Sequence, residues 1–183
     1  ARRRAEYSTD ASNYRIPPLV VAFPKDADDV AAALAAAREF GVPITGRGGG
    51  TSCAGNAIGE GIVLDFSRHM NAILDIDPEA RVARVQPGVV MSELQKAAAP
   101  FGLRFGPDPS TQNRATFGGM IGNNACGPHA VAFGRTADNV AGMDVTLADG
   151  RRMKAGEGGL GYEAVPELAR LVDENLAAIR LQF

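Results

Sequence analysis

Apolar positions follow more than one rhythm along the chain. Residues 19–23 (LVVAF) form an unbroken apolar run, which predicts a strand covered on both faces and ended by Pro24. In the alanine-rich stretch that follows, Val30, Leu34, Ala37 and Phe40 recur at helical spacing, predicting a helix with these four on its inward face. Asp26 and Asp28 stand where carboxylates favour a helix start, and Gly41 stands where helices stop. Residues 42–45 and 62–66 (IVLDF) read as two more short strands, so 19–45 is a β-α-β unit.

After residue 72 the pattern shortens. Ile73, Leu74 and Ile76 lead into the turn Asp77-Pro78-Glu79 and residues 82–85 return, which predicts an antiparallel hairpin. Leu94, Ala97, Ala98 and Phe101 mark a helix over 90–101, with Gly102 as its stop. Asp149-Gly150, between 143–147 and 153–154, is the strongest short hairpin signal in the chain. Leu168, Leu171, Val172, Leu176, Ile179 and Phe183 share one face of a helix beginning near Pro166, and that face is predicted to be a packing face.

Two stretches keep no rhythm, and both point to chemistry. Residues 44–56 (ITGRGGGTSCAGN) leave the C-terminal end of a predicted strand, where α/β sheets usually place ligands. Fixing each glycine costs about 0.5–1 kcal/mol more backbone entropy than fixing alanine, so Gly48, Gly49 and Gly50 need a compensating contact. An anion fits. Backbone without Cβ atoms approaches a phosphate closely, successive N–H groups make a concave nest, Thr51 and Ser52 add hydroxyl donors, and Arg47 adds fixed positive charge. A Walker A loop is excluded because no lysine follows the glycines, and a Rossmann fingerprint fails because Thr51 holds its third glycine position. A flexible surface loop is the alternative. The second stretch, 106–139, is rich in glycine, proline and small polar residues, without the charged repeats of disorder, and reads as irregular backbone lining a ligand.

Composition narrows the classes. At 183 residues, 45% apolar and 22% charged, the chain has the profile of a globular domain, and no apolar run approaches the ~20 residues of a membrane helix. A net charge of −2 argues against a nucleic-acid surface, and Arg2-Arg3-Arg4 reads as a solvated terminus. Cys53 and Cys126 lack metal-ligand spacing, and neither metal site nor disulfide is expected; a cytoplasmic location with reduced thiols is. The start at Ala1 and the stop at Phe183 within a helical pattern suggest a piece of a longer chain.

The ordered set of R-G-G-G-T-S, V-Q-P-G-V, G-P-D-P-S, G-G-M-I-G-N-N-A-C-G and D-N-V before a D-G hairpin resembles the FAD-binding domain of the p-cresol methylhydroxylase/vanillyl-alcohol oxidase type. Within that type it is similar to the FAD-linked oxidases related to glycolate oxidase, D-lactate dehydrogenase and D-2-hydroxyglutarate dehydrogenase, over about residues 7–149. The resemblance implies an α+β fold of two α/β subdomains: a small β-α-β lobe over 1–70, and a mainly antiparallel sheet with helices over 71–183, incomplete at its C-terminus. It also implies that Arg47, Gly48, Gly49, Gly50, Thr51 and Ser52 hold the FAD pyrophosphate, with Pro109 and Ser110 beside the flavin and ribityl chain. Gly118, Gly119, Gly122, Asn123, Asn124, Ala125 and Gly127 would wrap the cofactor from the other subdomain, and Val140 would meet the adenine.

Thr51 stands where members with a histidyl-flavin bond can carry His, so the FAD is expected to be non-covalent. His129 and His69 read as structural or surface histidines, and no catalytic residue is assigned. The implied reaction is oxidation of a D-2-hydroxy acid, of the D-lactate, glycolate or D-2-hydroxyglutarate type. The small-molecule substrate would be held by a cap domain outside this chain, the electron acceptor is open, and the fragment alone is expected to be inactive. The NNACG wording and the C-terminal helix look most like members fused to an iron-sulfur module, whose cluster would lie outside this chain. Residues 156–161 make a shorter connection than that family's. A non-catalytic nucleotide-binding module and a UDP-sugar reductase-like flavoprotein are the competing readings. Gly49→Val is expected to abolish FAD binding while leaving most of the fold intact.

Overall fold

The computed structural model describes residues 2–156 and 165–182, so Phe183 and most of the short 156–161 connection lie outside the described residues. Residues Ala1–Asn139 and Val140–Phe183 form two compact units. The subdomain boundary read near residue 70 falls within the first unit, between its third and fourth strands.

The first unit opens with α1 (Arg2–Glu6), where Arg2 and Arg3 both pair with Glu6, and an irregular segment leads to β1 (Val20–Ala22). Next come α2 (Ala27–Phe40), β2 (Ile44–Arg47) and β3 (Ile62–Asp65). All three strands are parallel in the order β1-β3-β2, so the last strand in sequence takes the middle place. That position explains its burial: Val63, Leu64 and Asp65 are all buried, whereas Leu19 and Val20 on the edge are 54% and 51% exposed. The predicted two-sided cover of residues 19–23 is therefore corrected, because an unbroken apolar run cannot distinguish an edge strand from a central one.

Helix α2 starts and stops as its sequence predicts. The Asp26 carboxylate accepts the amides of Asp28 and Asp29, and Gly41 closes the helix in the left-handed conformation. Its inward stripe is shorter than predicted: Ala37 is buried, but Phe40 is 73% exposed at the last turn.

The rest of the unit is built around one apolar cluster. Hairpin β4 (Ile73–Asp77) and β5 (Val82–Val85) turns on Asp77, whose carboxylate accepts the amides of Glu79 and Ala80. Its Ile73, Ile76, Ala83 and Val85 pack on Val89, Met91, Leu94, Ala115, Phe117 and Met120. Met91 and Leu94 come from α3 (Met91–Ala98), which tightens into a 3₁₀ turn over Ala99–Phe101 before Gly102. The 106–139 stretch is less irregular than its composition suggests, for it holds α4 (Phe117–Gly122), α5 (Ala130–Phe133) and a 3₁₀ turn. Phe117 and Met120 explain the first of these, since burying them in the cluster fixes a glycine-rich turn that propensity alone disfavours.

In the second unit β6 (Gly142–Thr146) and β7 (Arg152–Gly156) pair antiparallel across Asp149-Gly150, as predicted. Helix α6 (Pro166–Gln182) begins at the predicted proline. Its apolar face is not a packing face among the described residues: Leu171 is 57% exposed and Leu168, Leu176 and Ile179 are each at least 36% exposed.

Candidate functional site

The glycine loop leaves β2 at the C-terminal end of the parallel sheet. Gly50 has φ +65°, a conformation that L side chains rarely adopt. The loop lies directly against the segment that leads into α4. A Cβ on Gly48 would sit 1.9 Å from the Thr116 hydroxyl oxygen, and one on Gly49 would sit 2.2 Å from the Arg114 carbonyl oxygen. At the loop's far end the Asn56 side-chain amide donates to the Asn123 side-chain oxygen at 2.7 Å, and Asn123 in turn donates to the Gly119 carbonyl at 2.9 Å. The two stretches without rhythm thus share one locality. Among the described residues, none supplies an acceptor to the amide N–H groups of Gly48, Gly49, Gly50, Thr51 or Ser52.

Other predicted residues are placed with more or less freedom. Pro109 is buried and Ser110 exposed, and the PDPS turn is pressed against the ribbon where a Cβ on Gly127 would meet the Asp108 carbonyl oxygen at 2.1 Å. A Cβ on Gly118 would meet Pro87, but nothing lies within 4 Å of one on Gly122 and only the Thr116 hydroxyl, at 3.4 Å, faces one on Gly119. Gly119 and Gly122 are therefore the ribbon glycines open to a ligand. Ala125 is tied into the fold, its carbonyl accepting both the amide and the hydroxyl of the buried Thr136. Asn124 has φ +44°, with its side-chain oxygen accepting the Ala137 amide. Val140 opens the second unit.

Arg47 has protein partners that the sequence did not reveal. One guanidinium nitrogen donates to the carbonyls of Thr9 and Ala57, at 2.9 and 3.0 Å, and the group lies 5.0 Å from the centroid of the Tyr7 ring. Its hydrogen bonds organise the loop from behind. Gly49→Val needs correcting for a similar reason: the missing Cβ faces protein backbone, so the fold cannot be left intact. Sequence reasoning missed Tyr7 and Asp10. The Tyr7 hydroxyl donates to Asp65 at 2.5 Å, and Asp10 accepts the Ser12 and Ala57 amides. An Asp two residues before Ser is a local turn signal that could have drawn attention to Asp10.

Burial, then the hydrogen bond to Asp65, push the Tyr7 phenol up to about 12 from its ordinary 10.0. The raised value means the folded protein holds the proton more tightly, so this contribution is complete below pH 10 and lost between about 10 and 12. Tyr7→Phe is expected to remove that alkaline loss from a denaturant midpoint measured across the window; an identical pH profile in the variant would contradict it.

His129 pairs with Asp108, and that hydrogen bond holds the Asp108 carboxyl below the ordinary carboxylate range. His69 is on the surface, and Cys53 and Cys126 are free, exposed thiols. A cleft of about 240 Å³ between β1 and α2, lined by Ala22, Phe23, Pro24, Asp29, Ala33 and Leu64, contains none of the predicted residues.

Residues 18–156 match the family model described as FAD binding domain. The chain belongs to that family. The FAD-binding domain is 45% identical over 150 residues to D-2-hydroxyglutarate dehydrogenase of Escherichia coli K12, covering 80% of this chain and 15% of the relative. It is 39% identical over 151 residues to the glycolate oxidase subunit GlcD of the same organism, covering 81% of this chain and 30% of the relative. Among solved structures, 6-hydroxy-D-nicotine oxidase from Arthrobacter nicotinovorans superposes with a TM-score of 0.72 at 30% identity, over 85% of this chain and 33% of that one. The mixed parallel and antiparallel architecture is that of the p-cresol methylhydroxylase type of FAD-binding fold. The chain therefore spans 15% and 30% of the lengths of the two curated relatives.

The residues of the FAD-binding domain fit the cofactor. The middle of FAD is a diphosphate, and a glycine loop with a run of amides lacking acceptors, followed by two hydroxyl side chains, is the donor set that such a group takes.

Proposed function

We propose that the loop Gly48, Gly49, Gly50, Thr51 and Ser52 holds the FAD diphosphate, and that the ribbon from Gly118 to Gly127 closes on the same cofactor. The observation that carries this reading is that Gly48 and Gly49 lie against Thr116 and Arg114, which lead into the ribbon, and that Asn56, just beyond the loop, bridges to Asn123 within it. In it, Arg47 supplies positive charge from behind the loop, Gly119 and Gly122 let main chain approach, and Asn123 and Asn124 border the site. Pro109 and Ser110 lie on the flavin side, Ala125 and Gly127 shape the ribbon, and Val140 meets the adenine. With Thr51 at the position of the histidyl link, the FAD is non-covalent.

The whole protein is, in this reading, a flavin-dependent enzyme oxidising a D-2-hydroxy acid. Two of the relatives are named for D-2-hydroxyglutarate and glycolate, and both of those acids carry the oxidisable α-hydroxyl. Bound FAD would supply the hydride acceptor at its flavin ring. The residues of this chain bind and orient that ring; the base that takes the hydroxyl proton and the substrate pocket come from sequence outside it. The two exposed thiols suit a reducing cytoplasm. The test is to reconstitute the full-length protein with FAD and assay D-2-hydroxyglutarate, glycolate and D-lactate with an artificial acceptor. Turnover of at least one is expected from the full-length protein and none from residues 1–183 alone. Full-length protein that binds FAD and oxidises none of the three would contradict the substrate class.

A further inference from the structure

The glycine loop has a second support that touches no cofactor. Its start, middle and end are each gripped by the irregular segment between α1 and β1. At the start, the Arg47 guanidinium stacks on Tyr7 and donates to the Thr9 carbonyl. In the middle, the Ala11 amide donates to the Gly50 carbonyl at 3.0 Å. At the end, the Ala57 amide donates to the Asp10 carboxylate at 3.3 Å, while the Ala57 carbonyl accepts from Arg47. Tyr7 anchors the segment to the sheet through Asp65, which is 6% exposed and also accepts the amide and hydroxyl of Ser67.

These contacts decide where the loop's amides point. A peptide bond is planar and trans, so C=O and the following N–H point in opposite directions. Holding the Gly50 carbonyl on Ala11 therefore turns the Thr51 N–H away from the segment. Asp10 sets the position of that donor, because its other carboxylate oxygen accepts the Ser12 amide at 2.9 Å and folds residues 10–12 into a tight turn. A glycine-rich loop left to itself would sample many orientations, and fixing one in advance lowers the entropic cost of binding.

We propose that residues 7–12 are a brace that pre-aims the diphosphate-binding amides, with Asp10 and Tyr7 as positioning residues; this rests on the FAD reading of the loop. The Tyr7 hydroxyl and the Asp10 carboxylate are both engaged by groups of the protein itself.

The test uses the full-length protein, with FAD affinity measured by flavin fluorescence and the two diphosphate resonances of bound FAD followed by ³¹P NMR. Asp10→Ala is expected to weaken FAD by about tenfold or more, the scale on which outer partners of ligating groups act. It should also shift the ³¹P resonances and leave the flavin absorbance envelope unchanged. Asp10→Asn keeps the oxygen that serves Ser12 and loses the acceptor for Ala57, so its affinity should lie between wild type and Asp10→Ala. Tyr7→Phe removes one hydroxyl and guards against a misfolded Asp10 variant; it should weaken FAD in the same direction. Folded variants with wild-type affinity and unshifted ³¹P resonances would overturn the brace alone. A wild-type protein that binds no FAD would overturn the brace and the proposed function together.

Discussion

Gly49→Val is expected to abolish FAD binding and to destabilise the folded protein by about 1–3 kcal/mol or more, the usual cost of forcing atoms into a packed site. The structure gives the reason. A Cβ at Gly49 would stand 2.2 Å from the Arg114 carbonyl oxygen and 2.9 Å from its carbon, and main chain cannot yield as the end of a flexible side chain can. The loop would have to lift from the 114–116 segment, carrying away the amides that follow. Thermal unfolding without cofactor and titration with FAD should both change. A variant with wild-type apo stability would contradict the packing described at Gly49. One that is destabilised yet binds FAD normally would contradict the loop's role.

Gly119→Leu is expected to do the opposite to the fold and the same to the cofactor. This glycine lies in α4, where only the Thr116 hydroxyl, at 3.4 Å, faces an added Cβ. Leucine is the better helix former, so apo stability should hold or rise by up to about 1 kcal/mol. The four-carbon branch would nonetheless occupy the space from which main chain approaches the ligand. FAD affinity should fall at least about a hundredfold, equivalent to roughly 2.7 kcal/mol. Calorimetric titration beside a denaturation curve separates the two effects. Unchanged affinity in a well-folded Gly119→Leu would remove the ribbon from the site.

Contrasting these glycines shows what could be read before any coordinates. A glycine run announces close approach, but not by what: Gly48 and Gly49 press on protein, Gly119 faces only the Thr116 hydroxyl, Gly122 faces open space, and all four look alike in sequence. Features set by near neighbours were legible. Asp26 capping α2, Gly41 ending it and the Asp149-Gly150 hairpin are all decided within a few residues. Features set by distant partners were not. Residues 19–23 read as a two-sided strand because nothing local reveals that β3 takes the centre of the sheet. Helix α4 escaped because its glycines mask Phe117 and Met120, whose burial holds it. Arg47 was legible as a charge beside a glycine loop, but its partners, Thr9 and Ala57, depend on the fold of a polar segment with no periodicity.

The same distinction bears on the family. Separated motifs in a fixed order identified the FAD-binding fold type, because several agreeing in order are far more specific than one glycine run. Substrate identity has no comparable signature here, since the chain spans 15% of one relative and 30% of another.

The central claim is that Gly48 to Ser52 and Gly118 to Gly127 hold one diphosphate between them, and a crystal structure of the full-length protein reconstituted with FAD tests it most directly. The expected density places both phosphates against the amides of Gly49, Gly50 and Thr51, with Gly119 in van der Waals contact from the ribbon. A diphosphate bound away from either stretch would contradict the account.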